Sequence, residues 1–162
     1  MNKCRWGIDT SSEMRNVLQR ALELARHNKE TGGMPFAAIV IYQGKSLVEA
    51  VNSCHISNDP TNHAEMMAIR TACRLLGRPN LSECDFYTVA YPCPMCLAAL
   101  LMAKPQRLVF AISPNDKERL GLGTAAGIYA ELQKDWRERG IETYHLAEVE
   151  EDAFSIFYSK KL

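Results

Sequence analysis

Apolar positions along the chain switch between a helical rhythm and short extended runs. After Ser11, Ser12 and Glu13, which can cap a helix start, Val17, Leu18, Ala21, Leu22, Leu24 and Ala25 recur at helical spacing. This predicts a first helix reaching about Asn28, ended by Thr31-Gly32-Gly33. The runs Phe36 to Tyr42 and Ser46 to Val51, joined by Gln43-Gly44, read as a β-hairpin. A polar loop, Asn58-Asp59-Pro60-Thr61-Asn62, follows. Thr61 or Asn62 can cap a second helix that carries His63 in its first turn and runs to about Leu76, where Gly77-Arg78-Pro79-Asn80 stops it. Asp85 to Ala90 reads as a strand, Cys93 to Ala103 as a helix entered through Pro92, and Arg107 to Ile112 as a further strand. The last third predicts a helix from about Ala125 to Arg139, a strand from Ile141 to His145, and a helix from Glu150 to Tyr158.

Strands and helices that alternate after an opening hairpin imply an α/β protein. The expected architecture is three layers, α/β/α, with a mixed five-stranded sheet flanked by helices. No repeat, low-complexity tract or Ser/Gly linker divides the 162 residues, so one domain spanning 1–162 is expected. With 47% hydrophobic and 23% charged residues, the chain has the make-up of a soluble globular domain with a real core. Its 19 basic residues are balanced by 19 acidic ones, which argues against a broad nucleic-acid footprint led by Lys and Arg. No apolar run approaches the roughly 18 residues of a spanning helix, and Met1 to Thr10 lacks the apolar centre of a secretory signal. The six cysteines are therefore expected in a reducing cytoplasm, and not in disulfides.

Candidate chemistry concentrates in His63-Ala64-Glu65 and Pro92-Cys93-Pro94-Met95-Cys96. His63, Cys93 and Cys96 can give zinc three ligands, and three protein ligands leave a fourth position open for water. On a helix the two cysteines, three apart, share one face, and a helix N-terminus favours thiolate over thiol. Glu65 is a carboxylate two residues from the His, placed to move protons for an activated water. A lone Cys-x-x-Cys can instead be a redox motif or half of a structural zinc site, for which His55 or another Cys would supply the fourth ligand. H-x-E followed by P-C-x-x-C is, however, the known signature of zinc-dependent base deaminases.

With these residues in place, the chain resembles the cytidine and deoxycytidylate deaminase superfamily from about Gly33 to Phe110. Gly32 to Ala38 is similar to the loop and first strand of that fold. Asn52, Ser57 to Glu65, Ala68-Ile69-Arg70 and Pro92 to Cys96 are similar to its free-base guanine deaminase branch. The tRNA adenosine deaminase branch has closely similar motifs. The resemblance implies zinc bound by His63, Cys93 and Cys96, and Glu65 as the proton shuttle. It also implies that Asn52, Phe36 and the backbone at Ala64 meet the substrate. Asn52 can otherwise be a turn or cap residue, and Phe36 a core residue. Phe154, Phe157 and Tyr158 fall at helix-compatible spacing. They read as a core stripe, or, by the resemblance, Tyr158 closes a pocket, in some relatives that of a partner subunit in a dimer.

Two positions depart from the guanine branch. Tyr91 stands before Pro92 where Glu is common, and Thr124-Ala125-Ala126-Gly127 precedes Ile128-Tyr129 without the acid that would accept from a guanine edge. The expected function is hydrolytic deamination of a free nucleobase, guanine or a related amino-substituted purine, pyrimidine or triazine, releasing ammonia. Water activated to hydroxide on zinc would attack the amine-bearing ring carbon. The expected assembly is a homodimer without nucleic-acid or membrane partners. The alternatives are a tRNA adenosine or nucleoside deaminase and, more remotely, a non-enzymatic zinc-binding scaffold.

Overall fold

Strand β1 (Ala37–Tyr42) sets the layering, because its side chains alternate between two cores. Ala37 and Ile39 join one cluster, with Ala21 and Ala25 of helix α1 (Thr10–Glu30) and with Tyr87 and Val89 of strand β3 (Cys84–Ala90). Ala38 and Val40 join the other, with Phe86 and with Ala64, Ala68 and Ala72 of helix α3 (Ala64–Leu76) and Leu100 of helix α4 (Pro94–Ala103). Helix α1 therefore covers one face of the sheet, and α3 with α4 the other. The three alanines of α3 recur every four residues and are fully buried, so this helix lies close against the sheet.

The computed structural model describes residues 10–120 and 124–147, together with Glu150 and Ile156. The chain divides into two units, Met1–Ala125 and Ala126–Leu162. The sheet of the first unit has the order β2-β1-β3-β4, with β2 at Lys45–Val51 and β4 at Arg107–Ile112. Strand β1 is antiparallel to both β2 and β3, and β3 is parallel to β4, giving the expected mixed sheet. Positive φ at Gln43 (50°) and Gly44 (75°) makes the two-residue β1–β2 turn, whose handedness suits the strand twist. Two short helices not foreseen in the sequence are α2 (Cys54–Ser57) and α5 (Pro114–Arg119).

Four strands are present among the described residues, where five were expected. The missing one is Ile141 to His145. Its residues have strand propensity, but Ile141 and Tyr144 are 77% and 76% exposed and no strand pairs with them among the described residues. The expected helix from Ala125 to Arg139 is shorter, α6 at Thr124–Gln133, followed by one 3₁₀ turn at Trp136–Glu138 where Arg137 lies 4.4 Å above the Trp136 ring. The expected helix from Glu150 to Tyr158 lies almost wholly outside the described residues, and Tyr158 and Phe154 with it.

Candidate active site

The topology brings the candidate residues to one end of the sheet. Strand β3 ends at Ala90, just before Pro92 and Cys93. Strand β1 runs the opposite way, so its beginning, next to Phe36, lies at that same end. Strand β2 pairs Val51 with Ala37 and so delivers Asn52 there as well. Helices α3 and α4 both start at this end, with His63 and Cys93 as their N-cap residues. The sequence placed His63 within the first turn and assigned the cap to Thr61 or Asn62. His63 makes no side-chain capping bond, so its imidazole is not spent on the helix end.

His63 Nδ1 lies 3.6 Å from Cys93 Sγ and 3.5 Å from Cys96 Sγ. Nitrogen and sulfur ligands at ordinary zinc distances and tetrahedral angles stand about 3.6 Å apart. The spacing therefore fits one tetrahedral ion, and two soft thiols with one imidazole suit zinc. The three ligand atoms lie within 4.8 Å of one another, and no fourth His, Cys or carboxylate joins the group among the described residues. His55, the alternative fourth ligand, is not part of it. The two thiols are coupled. A hydrogen bond from Cys96 holds Cys93 down at about 4, against the opposing effect of burial and with help from His63. The same bond, together with burial and the Glu65 charge, pushes Cys96 far above the thiol range.

Glu65 is buried, at 7% exposure, in the first turn of α3. Thr88, on the sheet face that α3 covers, donates its hydroxyl to Glu65 Oε1 at 3.4 Å. Asn52 is 5% exposed, and its Oδ1 accepts the Cys54 amide at 3.2 Å. That bond turns the Nδ2 donor the other way. Ala64 is fully buried at the α3 N-terminus, where backbone N–H groups lack helical partners. Phe36 is half-buried against the α3-side core, so core packing accounts for at least part of its role.

The loop before His63 is braced by side chains the sequence had assigned to capping. Asp59 Oδ1 accepts both the amide and the hydroxyl of Thr61, at 2.8 and 2.7 Å, and these bonds hold its carboxyl below the usual carboxylate range. Arg70 of α3 donates to Asn62 Oδ1 at 2.6 Å and to Thr61 Oγ1 at 3.1 Å. Asn62 Nδ2 donates to Ser57 Oγ at 2.9 Å, and its carbonyl accepts the Ser53 amide at 3.0 Å. Asp59 and Arg70 stand in the sequence motifs without an assigned role, and Thr88 is not among the sequence candidates. The available signal was Thr88 itself, a polar residue alternating with Phe86 on an apolar strand face. Tyr91, the first departure, packs edge-on against Phe110 of β4, with ring centres 5.2 Å apart. Tyr158 cannot be placed, since it lies outside the described residues.

The family described as the cytidine and deoxycytidylate deaminase zinc-binding region matches residues 11–112. The guanine deaminase of Bacillus subtilis is 40% identical over 130 residues, covering 80% of this chain and 83% of the relative. A tRNA-specific adenosine deaminase of Aquifex aeolicus is 36% identical over 143 residues, covering 88% and 92%. The X-ray structure of the Bacillus subtilis guanine deaminase superposes with a TM-score of 0.80 at 35% identity, covering 91% of this chain and 96% of that one.

Proposed function

The chain belongs to the cytidine and deoxycytidylate deaminase family, and from that membership we propose a hydrolytic deaminase of free nucleobases. Its substrate would be guanine or a related amino-substituted ring. The reaction takes ring C–NH2 and water to ring C=O and ammonia. The observation that carries it is the tetrahedral spacing of His63, Cys93 and Cys96 with the buried Glu65 carboxylate against Cys96.

His63, Cys93 and Cys96 would hold zinc, which when bound supplies a Lewis acid that brings a water pKa down towards neutrality. Glu65 takes one proton from the attacking water and delivers it to the ring nitrogen, then takes the second from the hydroxyl now on the ring carbon and delivers it to the leaving amine as the C–N bond breaks. Thr88 fixes the carboxylate that does so. Asn52, with Oδ1 already engaged by Cys54, meets the base as a donor through Nδ2, so the ring presents an acceptor there. The Ala64 amide and the Phe36 ring complete the wall. Tyr158 is assigned to pocket closure by resemblance alone.

A free base as substrate, and not a polynucleotide, is supported by the balanced charge and by the greater identity to the guanine deaminase. A homodimer is supported by α4, where Leu101 and Met102 are 69% and 79% exposed. A cytoplasmic setting is supported by free thiols at all five described cysteines, and no helix of the described residues is long and apolar enough to cross a membrane. The test is ammonia release from guanine, isocytosine, cytosine, adenine, aminated triazines and their nucleosides, with a tRNA anticodon stem beside them. Release from a free base supports the proposal. Release from the tRNA stem alone replaces it with the tRNA adenosine deaminase reading.

A further inference from the structure

Asn28, near the end of α1, is buried at 6% exposure and far in sequence from every metal ligand. Its Nδ2 donates to the Met34 carbonyl at 2.7 Å and to the Asn52 carbonyl at 2.9 Å. Both neighbours are acceptors, so the amide nitrogen must face them. The two carbonyls belong to the two segments that carry the candidate base-binding wall. Phe36 donates its amide to Met34 O at 2.8 Å, and Asn52 donates its amide to Phe36 O at 3.0 Å. One side-chain amide thus ties the loop bearing Phe36 to the strand end bearing Asn52.

Gly33 is shaped to this contact. A Cβ there would stand 2.6 Å from Asn28 Nδ2 and 2.7 Å from its Cγ and Oδ1. Any side chain at 33 would displace the carboxamide. The Asn28 carbonyl in turn accepts the Gly33 amide at 2.7 Å and the Thr31 hydroxyl at 3.1 Å, which folds the turn back over the side chain.

We propose that Asn28 is a positioning residue that sets the spacing of Phe36 and Asn52 and so tunes binding of the base without touching it. This rests on the assignment of those two residues to the substrate wall. An amide that gives both its hydrogens to buried carbonyls fixes two backbone segments at once, and misplacement of about 1 Å at a binding wall can cost up to about a hundredfold.

The test uses the zinc-loaded full chain. Asn28→Asp keeps the shape but sets carboxylate oxygens against two carbonyls. Gly33→Ala keeps Asn28 and crowds it from the other side. In both, amide exchange at Phe36 and Asn52 is expected to quicken by about tenfold or more, while β3 and α4 exchange as in the parent. KM for guanine is expected to rise about ten- to a hundredfold with kcat within about threefold, and guanine binding to the unreactive Glu65→Gln protein to weaken by the same factor. Unchanged exchange and KM overturn the proposal. So does uniformly fast exchange across the sheet, or failure of both variants to fold, since either makes Asn28 a folding determinant only. Asn52→Ala separates the two levels. If it weakens guanine binding and Asn28→Asp does not, the role of Asn28 falls alone. If Asn52→Ala changes nothing, or the parent leaves guanine untouched, the wall or substrate assignment falls, and the exchange rates still decide the Asn28 tie.

Discussion

Replacing Glu65 by Gln removes one charge and leaves the shape of the buried α3 terminus unchanged. A positioned acid–base group contributes about 10²- to 10⁴-fold, so the loss in kcat is expected to correspond to about 3–5 kcal/mol of transition-state stabilisation. Zinc content is expected to stay at the parent level, because the proposed ligand atoms belong to His63, Cys93 and Cys96. Thr88 refines the expectation. A hydrogen bond to a charged group contributes about 1.5–3 kcal/mol at good geometry. At 3.4 Å the Thr88 bond sits at the weak end, so Thr88→Val is expected to cost about tenfold in kcat, with Thr88→Ser restoring most of it. Since the hydroxyl acts through the carboxylate, Thr88→Val is expected to cost less than about twofold once Glu65 is already Gln. The assay is ammonia release under zinc saturation for the four members of the cycle, with zinc measured on each sample. A zinc-loaded Glu65→Gln protein within tenfold of the parent would refute the proton role. Equal Thr88 effects in both backgrounds would refute the coupling.

Chelation is expected to abolish turnover and zinc re-addition to restore it, while Cys93→Ser or His63→Ala is expected to fail to hold zinc in equilibrium dialysis. In chelated protein, iodoacetamide at pH 6 is expected to modify Cys93 well before Cys73 and Cys84. The attacking species is the thiolate; Cys93 sits at about 4, below the assay pH, whereas burial raises Cys73 and Cys84 above the usual thiol range. Peptide mapping showing Cys73 or Cys84 labelled first would contradict this. Arg70→Met is expected to speed zinc loss to a chelator by up to about tenfold while leaving kcat per bound zinc unchanged, because Arg70 braces the loop and not the chemistry. Ala68→Leu forces bulk into the fully buried contact between α3 and the sheet and is expected to destabilise by about 1–3 kcal/mol in urea unfolding.

Most of the first unit was legible because its signals are local. The strand runs and the Gln43-Gly44 turn give β1 and β2 within a residue of their observed ends, and the alternation of faces follows from period two. The metal group was legible because ligand type and spacing are written directly in the chain. What failed depends on partners distant in sequence. Ile141 to His145 has the composition of a strand, but a strand exists only where another supplies its ladder. Asn28 reads as a residue at the end of the first helix, and its two acceptors, Met34 O and Asn52 O, are fixed only by folding. Leu97, Leu100 and Leu101 look equivalent on paper, yet only Leu100 is turned into the core.

The capping error has a more specific cause. Thr61 and Asn62 are better N-cap residues than His63, and a cap chosen for stability would have started α3 one or two residues earlier. Instead the helix begins after His63, and Thr61 and Asn62 are drawn off to Asp59, Arg70 and Ser57. The same substitution occurs at α4, where Cys93 occupies the cap and Pro94 the first turn. Forgoing a side-chain cap costs about 1 kcal/mol at α3. In return, an imidazole and a thiol stand at the positive ends of two helices, where the second thiol of the proposed ligand set, Cys96, is one turn further in. A cap residue has extended backbone, as His63 (φ −63°, ψ 154°) and Cys93 (φ −69°, ψ 168°) do, so its side chain can turn off the helix axis towards the neighbouring helix. One turn inside, the side chain would follow the helix surface. His63 and Cys93 therefore converge on Cys96 because they sit where stability would have favoured Ser, Thr, Asp or Asn, and the local rule fails at the two places where the proposed site is built.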